Sequence, residues 1–396
     1  MQKEAVFLIR TLNSYGGTQR HVTLLANKMV ERGYKVYMLS LYHKTPFYPL
    51  NPDITNLEVN ELCPRTMLFS LRRAWYLKVS SKIHNRIVRP IAGLLGCDVP
   101  LSPHTFAFFY YCYSWSLRRF LMKHPGATVF VFLYDPAAAQ VVAAKGLPVK
   151  SVYCEMNSAT RDDYPKERLI FRDKCVRHFH YAIFQTEDEK AYFDSMITGE
   201  KAVIPNPLRS DLPAPFAGER SERIVNFCRI DQQKNLPLLI GAFSDIHQKY
   251  PEYRLEIYGR GEGRDEETVF SYIRQCHLED CVSVLPFCSD VHLKVLDAAM
   301  FVSTSEFEGI SNSMLEAMAI GLPCICTDCD GGGAREMIRD GENGLLVPKG
   351  NRKAVAEAME KLIGNPEFAA SLGQKATAVR ELLDEDKIAE QWIKMI

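Results

Sequence analysis

Two doubly wound α/β domains, each a parallel sheet covered by helices, are the fold class this sequence predicts. Three observations carry that reading. Short apolar runs alternate with amphipathic stretches along the chain, the pattern of a parallel sheet with helical crossovers. The alternation stops between Lys201 and Arg223, where Pro205, Pro207, Pro213 and Pro215 fall among polar residues, and then restarts. The 396 residues are too many for one core of ordinary size and suit two.

Ala5–Ile9 reads as the first strand, and Gly16-Gly17 breaks the chain after it. Val22, Leu25, Ala26, Met29 and Val30 then recur at helical spacing over Thr18–Arg32, with Thr18 as the expected N-cap and Gly33 as the expected C-terminal cap. Lys35–Leu41 closes a βαβ opening. Val129–Leu133, Ser151–Cys154 and Tyr181–Gln185 read as further strands of this half. In the second half, Ile224–Cys228, Tyr253–Tyr258, Val282–Leu285, Met300–Ser303 and Pro323–Thr327 read as strands. Leu236–Tyr250, Val291–Ala299, Asn312–Ile320, Arg352–Ile363 and the chain from Phe368 onward read as helices. The expected domains are 1–200 and 201–375. The default ligand site lies in the cleft between them, at the carboxyl ends of both sheets.

Lys+Arg and Asp+Glu balance at 48 each, so no global charge argues for nucleic acid as a partner. Of twelve cysteines, Cys324, Cys326 and Cys329 form the one tight group, and no second cluster with His completes a four-ligand zinc site. They read as buried thiols of a reducing cytosol, and no metal is expected. The run Ala5–Ile9 is too short for a signal-peptide core, and nothing reaches about 18 uninterrupted apolar residues, so a cytoplasmic protein, soluble or peripheral, is expected.

One segment departs from the average. Between Glu61 and Asp98 there is no acid, while Arg65, Arg72, Arg73, Lys78, Lys82, Arg86 and Arg89 lie there with Trp75 and Tyr76. Residues 65–89 read either as a peripheral contact with an anionic membrane on the inner face of the cell membrane, or as a solvated helix or acceptor-site loop.

The strongest chemical signal is the run from Glu308 to Pro323, in which Glu308 and Glu316 are separated by seven residues. A strand ends near Ser303, a loop carries Glu308, and a helix begins near Asn312. Backbone N–H groups of Gly309, Ile310, Ser311, Asn312 and Ser313 at a helix start would cradle an anion. Glu316, about one turn inside that helix, is a bidentate acceptor suited to vicinal ribose hydroxyls, and Glu308 would accept from sugar hydroxyls.

Glu308 and Glu316, followed by Ala-Met-Ala-x-Gly-x-Pro, resemble the E-x7-E signature of the retaining glycosyltransferases of the GT-B fold, the glycosyl transferases group 1 family. The resemblance extends over most of the chain. Gly16-Gly17 resembles that family's glycine loop, expected at the donor, and Val203-Ile-Pro-Asn206-Pro207 its interdomain segment, with Asn206 as a candidate ligand of sugar or acceptor. The run from Cys228 through Arg229 and Lys234 to Asn235 resembles its basic pair. Tyr258-Gly259 and Leu285-Pro286-Phe287 resemble the ends of its next strands, so that Tyr258, Gly259, Pro286 and Phe287 are expected at the donor, and Gly341–Pro348 resembles its C-terminal block. Residues from about 60 to 125 match no part of it.

The resemblance implies that a hexose passes from a nucleotide-sugar to a glycan or lipid-linked acceptor with retention of configuration, in cell-surface polysaccharide or glycoconjugate synthesis; a UDP-sugar is the expected donor over a GDP-sugar, although the sequence itself does not select it. It implies no cofactor. Arg229 and Lys234 would stabilise the diphosphate, Glu316 the ribose and Glu308 the sugar. Physics agrees on the basic pair: a nucleoside diphosphate leaving without a metal needs cations for its developing charge, Arg with two donors and Lys as a point charge. Gly16-Gly17 either allows close approach to a phosphate or sugar or marks an ordinary turn. Family members often carry a His, or Glu-x-Asn, after a mid-domain strand. Here Glu155-Met156-Asn157 stands there, either as sugar or acceptor ligands or as a capping pair. Asp328-Cys-Asp330 mimics a metal motif of another glycosyltransferase fold and reads as a loop near the donor sugar. The family also returns its last helix to the first domain, so 376–396, with Trp392, is expected to pack there. The rival readings are a nucleotide-sugar epimerase of the same fold and an inactive nucleotide-sugar-binding subunit.

Overall fold

The computed structural model describes residues 3–62, 107–160, 166–261 and 263–396. The basic stretch 65–89 lies outside the described residues. Among the described residues no helix is long and apolar enough to cross a membrane.

The first sheet holds β1 (Glu4–Ile9), β2 (Lys35–Ser40), β3 (Thr55–Glu58), β4 (Thr128–Phe132), β5 (Lys150–Cys154), β6 (Tyr181–Phe184) and β7 (Glu200–Val203), in the order β3-β2-β1-β4-β5-β6-β7. The second holds β8 (Ser221–Ile230), β9 (Arg254–Gly261), β10 (Val282–Pro286), β11 (Ala298–Ser303), β12 (Cys324–Asp328) and β13 (Leu345–Pro348), in the order β10-β9-β8-β11-β12-β13. All pairings are parallel. Parallel strands are covered on both faces, which is why β1 and β4 read as unbroken apolar runs. Both sheets are doubly wound, and their order reverses between β1 and β4 and between β8 and β11. Loops that leave β1, β8 and β11 therefore open at the crevices where such folds bind ligands.

The helices that bear on those crevices are α1 (Gly17–Glu31), α2 (Glu187–Phe193), α3 (Leu236–His247), α4 (Asn312–Ala319), α5 (Gly333–Met337) and α6 (Glu385–Ile393). The expected cap at Thr18 is corrected: Gly16 is the N-cap and Gly17 the first helical residue, so Thr18 lies inside α1. The C-terminal end is as expected. Gly33 takes φ +80°, its N–H reaches Val30 O at 2.8 Å, and Tyr34 N–H reaches Met29 O at 3.1 Å, two bonds that close the helix carbonyls. β7 carries the first sheet past residue 200 into the stretch read as linker.

The last helix returns to the first domain. Trp392 of α6 is fully buried, with its ring 5.2 Å from His21 of α1, 5.4 Å from Phe130 and 5.9 Å from Phe132. Lys28 of α1 and Arg32 just after it pair with Asp386 at 3.1 and 2.8 Å at the exposed rim. Exposed pairs of this kind contribute about 0–1 kcal/mol each, so the buried indole dominates the attachment.

His21 has a consequence for stability. Neither ring nitrogen has a hydrogen-bond partner among the described residues, and burial, with a smaller push from Arg20, lowers its pKa to about 3. The unfolded chain takes up this proton near pH 6.5 and the folded chain does not. Stability from His21 is thus complete above pH 6.5 and is lost progressively as pH falls toward 3, by about 2 kcal/mol at pH 5. Melting temperatures from pH 8 to 5 are expected to drop less steeply for His21→Leu than for wild type. Parallel curves would remove His21 from the acid sensitivity.

Candidate functional site

Three segments meet at the reversal point of the second sheet. β8 carries Arg229 just before its last residue, Ile230, and leads through a short turn, Gln232–Lys234, into α3. That turn is tied to the loop after β11: Thr304 Oγ1 donates to Lys234 O at 3.1 Å, Glu306 N–H to Gln233 O at 2.8 Å, and Asn235 Nδ2 to Glu306. The ties bring Lys234 Nζ to 2.8 Å from both Glu308 oxygens. Gln233 Nε2 donates to Glu308 Oε2 at 2.6 Å and to Phe307 O at 2.9 Å, while Arg229 Nη2 donates to Gln233 Oε1 at 3.2 Å. The basic pair and Glu308, read from sequence as separate ligands, form one network through Gln233. Lys234 is buried, whereas the Arg229 side chain is about half exposed and rests 3.2 Å from Asp231. Burial is the largest single influence on Lys234 and pulls its pKa down, but the Glu308 charge, Cys228 and the Glu308 hydrogen bonds together outweigh it, and the net shift is upward, so the ammonium stays charged.

Glu316, on α4, is buried and gripped on both oxygens. Arg20 of α1 pairs with Oε1, and His292 Nε2 lies 2.8 Å from Oε2. Burial raises its pKa, but Arg20 and His292 outweigh burial, and the carboxyl sits below its ordinary value as an anion. Arg20 belongs to the first domain, so the predicted ribose acceptor is shared across the cleft. Gly17 meets the same region: a Cβ there would stand 2.5 Å from Asn312 Nδ2. At Gly16 a Cβ would meet only the Gln19 side chain, at 2.5 Å.

The loop between Glu308 and Asn312 differs from the expected cradle. Gly309, Ile310 and Ser311 are buried, and the Ile310 N–H donates to Gln185 Oε1 of the first domain at 3.0 Å. Gln185 Nε2 donates to Asn206 Oδ1 at 2.6 Å, and Asn206 Nδ2 to Ile310 O and Asn312 Oδ1 at 3.2 Å each. An anion therefore cannot take the Ile310 N–H without displacing Gln185, and Asn206 is a bridge between domains rather than a side chain turned to a sugar. Asn312 and Ser313 remain half-buried at the start of α4.

Other expected ligands also turn inward. Tyr258 is buried with its hydroxyl donating to Glu256 at 3.0 Å, and a Cβ at Gly259 would stand 2.2 Å from Cys228 O. The first is a bond within β9, and the second reflects close packing of β8 on β9. Glu155 is buried and accepts from Tyr153 Oη at 2.6 Å and from Met156 N–H at 3.2 Å, and Asn157 Oδ1 accepts from Ser158 N–H at 2.9 Å, the arrangement of a strand-end cap. Pro286 and Phe287, by contrast, are exposed at the end of β10. Asp328 and Asp330 each hold a cation, Arg335 at 2.6 Å and Lys349 at 2.7 Å. Burial pushes the Cys329 thiol up to about 12 and Cys326 well above its usual value, so both carry their protons. Among the described residues no three His, Cys, Asp or Glu side chains gather as a metal site.

Arg20, His292, Gln185 and Gln233 were not singled out from sequence. Arg20 carried a faint signal: it stands three residues after Gly17, on the end of α1 that faces the glycine loop. The other three meet their partners only through tertiary contact.

The chain is similar to known proteins in sequence and in fold. Residues 212–379 match the family model described as Glycosyl transferases group 1. An uncharacterized glycosyltransferase of Haemophilus influenzae is 24% identical over 391 residues, covering 98% of this chain and 99% of that protein. The fold is similar to the crystal structure of TarM, with a TM-score of 0.76 at 13% identity over 100% of this chain and 99% of that one. It is also similar to Anabaena Alr3699/HepE, with a TM-score of 0.72 at 15% identity over 99% and 98% of the two chains.

Proposed function

We propose, from the match of residues 212–379 to the Glycosyl transferases group 1 family model, that this chain is a metal-independent glycosyltransferase. It moves a hexose from a UDP-sugar to a glycan or lipid-linked acceptor with retention of configuration. The observation that carries the reading is the crevice of the second sheet, where the buried Lys234 ammonium and the half-exposed Arg229 guanidinium join the Glu308 carboxylate in one network. Arg229 and Lys234 take the diphosphate, whose charge grows as the sugar leaves. Lys234 has three N–H donors, and Glu308 engages it while leaving one to turn toward a phosphate oxygen. Glu316 accepts from the ribose diol, and Glu308, held by Lys234 and Gln233, orients the hexose. Support for the donor comes from the relatives: HepE is described in complex with UDP-glucose, and a Staphylococcus aureus TarM variant with UDP, fondaparinux and alpha-GlcNAc-glycerol. The acceptor would approach from the first domain, and residues 65–89 are the segment to hold it at an anionic membrane.

A thermal-shift and calorimetry panel of nucleotides tests the reading, since only a ligand of the folded state raises the melting temperature. UDP or a UDP-sugar is expected to bind. Glu316→Ala is expected to weaken it by about 1.5–3 kcal/mol, the value of hydrogen bonds to a charged acceptor, with Glu316→Gln as the variant that keeps the side-chain shape. Turnover is expected to survive EDTA, and manganese rescue after EDTA would return Asp328 and Asp330 to the mechanism. A wild type that binds no nucleotide would refute the proposal. Donor turnover with no acceptor present would favour the epimerase, and binding without turnover the inactive subunit.

A further inference from the structure

Between Glu308 and the start of α4, the donor loop is held by an amide of the other domain. Gln185 directly follows β6, whose end is fixed by Glu155 N–H donating to Ile183 O at 3.1 Å and Ile204 N–H to Phe184 O at 2.8 Å. Its side chain is buried and fully engaged. Oε1 accepts from Ile310 N–H at 3.0 Å, and Nε2 donates to Asn206 Oδ1 at 2.6 Å and to Met156 Sδ at 3.4 Å. Asn206 Nδ2 closes the ring on Ile310 O at 3.2 Å. Ile310 is thus gripped at its N–H and its C=O by two amides that also grip each other. Gly309 permits the close approach, since a Cβ there would stand 2.3 Å from Gln185 Oε1. Glu189 of α2 braces the same amide: its Oε2 accepts from Gln185 N–H at 3.0 Å. Its Oε1 is buried without a hydrogen-bond partner among the described residues, 3.2 Å from that Cβ position. Burial, and then the Glu155 charge, push this carboxyl well above the usual range, so no anion competes with Gln185 for the Ile310 N–H.

Attachment of one domain to the other does not ask for this arrangement. Apolar contacts would serve, and a buried polar ring is costly unless every member finds its partner. What the ring adds is direction. Bonds to the N–H and the C=O of one residue fix both where its peptides stand and how they are turned. Ile310 lies two residues after Glu308, which Lys234 and Gln233 hold, and two before Asn312, which opens α4. With the Ile310 N–H taken, Asn312 and Ser313 are the part of the cradle left to a phosphate. We propose that Gln185 is a positioning residue: from the first domain it sets the register of the donor loop and so places Glu308 against the sugar, without touching the substrate itself. The inference rests on the glycosyltransferase reading for what the loop does, and on the amide ring alone for how the loop is held.

Gln185→Met removes both bonds and keeps the length of the side chain. Hydrogen exchange at the Ile310 amide, read on the full chain without substrate, is expected to quicken about ten-fold or more. Turnover of a UDP-hexose, read as released UDP, is expected to show kcat lowered about 10², the effect of a misplacement of about 1 Å near reacting groups. UDP affinity by calorimetry should stay within about three-fold of wild type, because Arg229, Lys234 and Glu316 lie outside the ring. Gln185→Glu is the second variant. Protonated, its carboxyl offers a C=O to Ile310 and an O–H to Asn206; ionised, it has no donor and faces Asn206 Oδ1. Burial favours the protonated form, so the ratio of its kcat to that of wild type is expected to rise as pH falls from about 8 to about 5.5. A kcat within three-fold of wild type in Gln185→Met, measured well below its melting temperature, would overturn the inference and leave Gln185 to hold the domains together. UDP affinity falling by the same factor as kcat would overturn it by making Gln185 a donor ligand, and a pH-independent ratio in Gln185→Glu by showing that its donor and acceptor do not matter. If wild type binds no nucleotide, the glycosyltransferase reading falls and the exchange measurement still decides: an unchanged rate at Ile310 in Gln185→Met would mean that the ring does not hold the loop.

Discussion

Lys234→Ala is expected to lower kcat by about 10²–10³, with a smaller change in the donor KM. Removing one preorganised donor from a developing negative charge has effects of that size, and the effect falls on kcat because the phosphate charge grows toward the transition state. The structure adds a complication absent from the residue pattern. Lys234 and Glu308 are a buried ion pair at 2.8 Å, and truncating one partner of such a pair costs about 3–5 kcal/mol of stability. Lost activity alone therefore says little. The double variant Lys234→Met with Glu308→Gln separates the effects, because it removes both charges and keeps an amide for Gln233 to meet. Its melting temperature is expected to recover relative to Lys234→Ala while kcat stays low. If kcat recovers with the melting temperature, Lys234 serves only to neutralise Glu308 and takes no part in stabilising the leaving group.

Which parts of the molecule were legible follows from what each residue does locally. The interior strands β1, β2, β4, β5, β8 and β11 are covered on both faces and show as apolar runs. Unread were β3, β7 and β13, which stand at edges of the two sheets. β3 and β7 present half-open residues with no continuous apolar signal. The run Val291–Ala299 was read as one helix, but helix stops at Lys294 and β11 starts at Ala298, because apolar residues continue through the junction and hide the break. In the site, Arg229, Lys234, Glu308 and Glu316 were visible as a pattern of types and spacings. What was hidden is their pairing. That Glu308 would bind Lys234, or that Glu316 would be held by Arg20 and His292, depends on ties such as Thr304 to Lys234 that no local spacing encodes. The inward turn of Tyr258 and Glu155 has the same origin: each found a closer partner, Glu256 and Tyr153, on its own strand.

The three glycines after Asp330 belong to this hidden layer, and a substitution there is expected to act on the donor loop from behind. Phe307 and Asp330 form a bridge, Glu308 N–H donates to Asp330 O at 2.8 Å, and Gly331 and Gly333 then lie against the backbone of the loop. A Cβ on Gly333 would stand 1.7 Å from Gly309 O and 2.8 Å from Ile310 Cα. Those are backbone atoms, so no side-chain rotation relieves the contact. Gly309 cannot retreat freely either, since a Cβ at its own position would already meet Gln185 Oε1 at 2.3 Å. On the far side Thr186 Oγ1 donates to Gly331 O at 2.7 Å and Arg335 pairs with Asp188, so the first domain presses on the glycine turn at the base of α2. Gly333→Ala must move the loop by an ångström or more, or push the turn off α2. Overpacking of this kind costs about 1–3 kcal/mol or more, and a misplacement of about 1 Å near reacting groups lowers rates by about 10². The expected result is a lower melting temperature together with a fall in kcat/KM for the donor of about 10² or more. Gly364→Ala, at a helix end in ordinary right-handed conformation with Glu360 O at 3.3 Å as the nearest contact, is the control expected to stay close to wild type. A Gly333→Ala enzyme with wild-type donor kinetics would mean that the loop carrying Glu308 does not depend on the glycine turn beneath it.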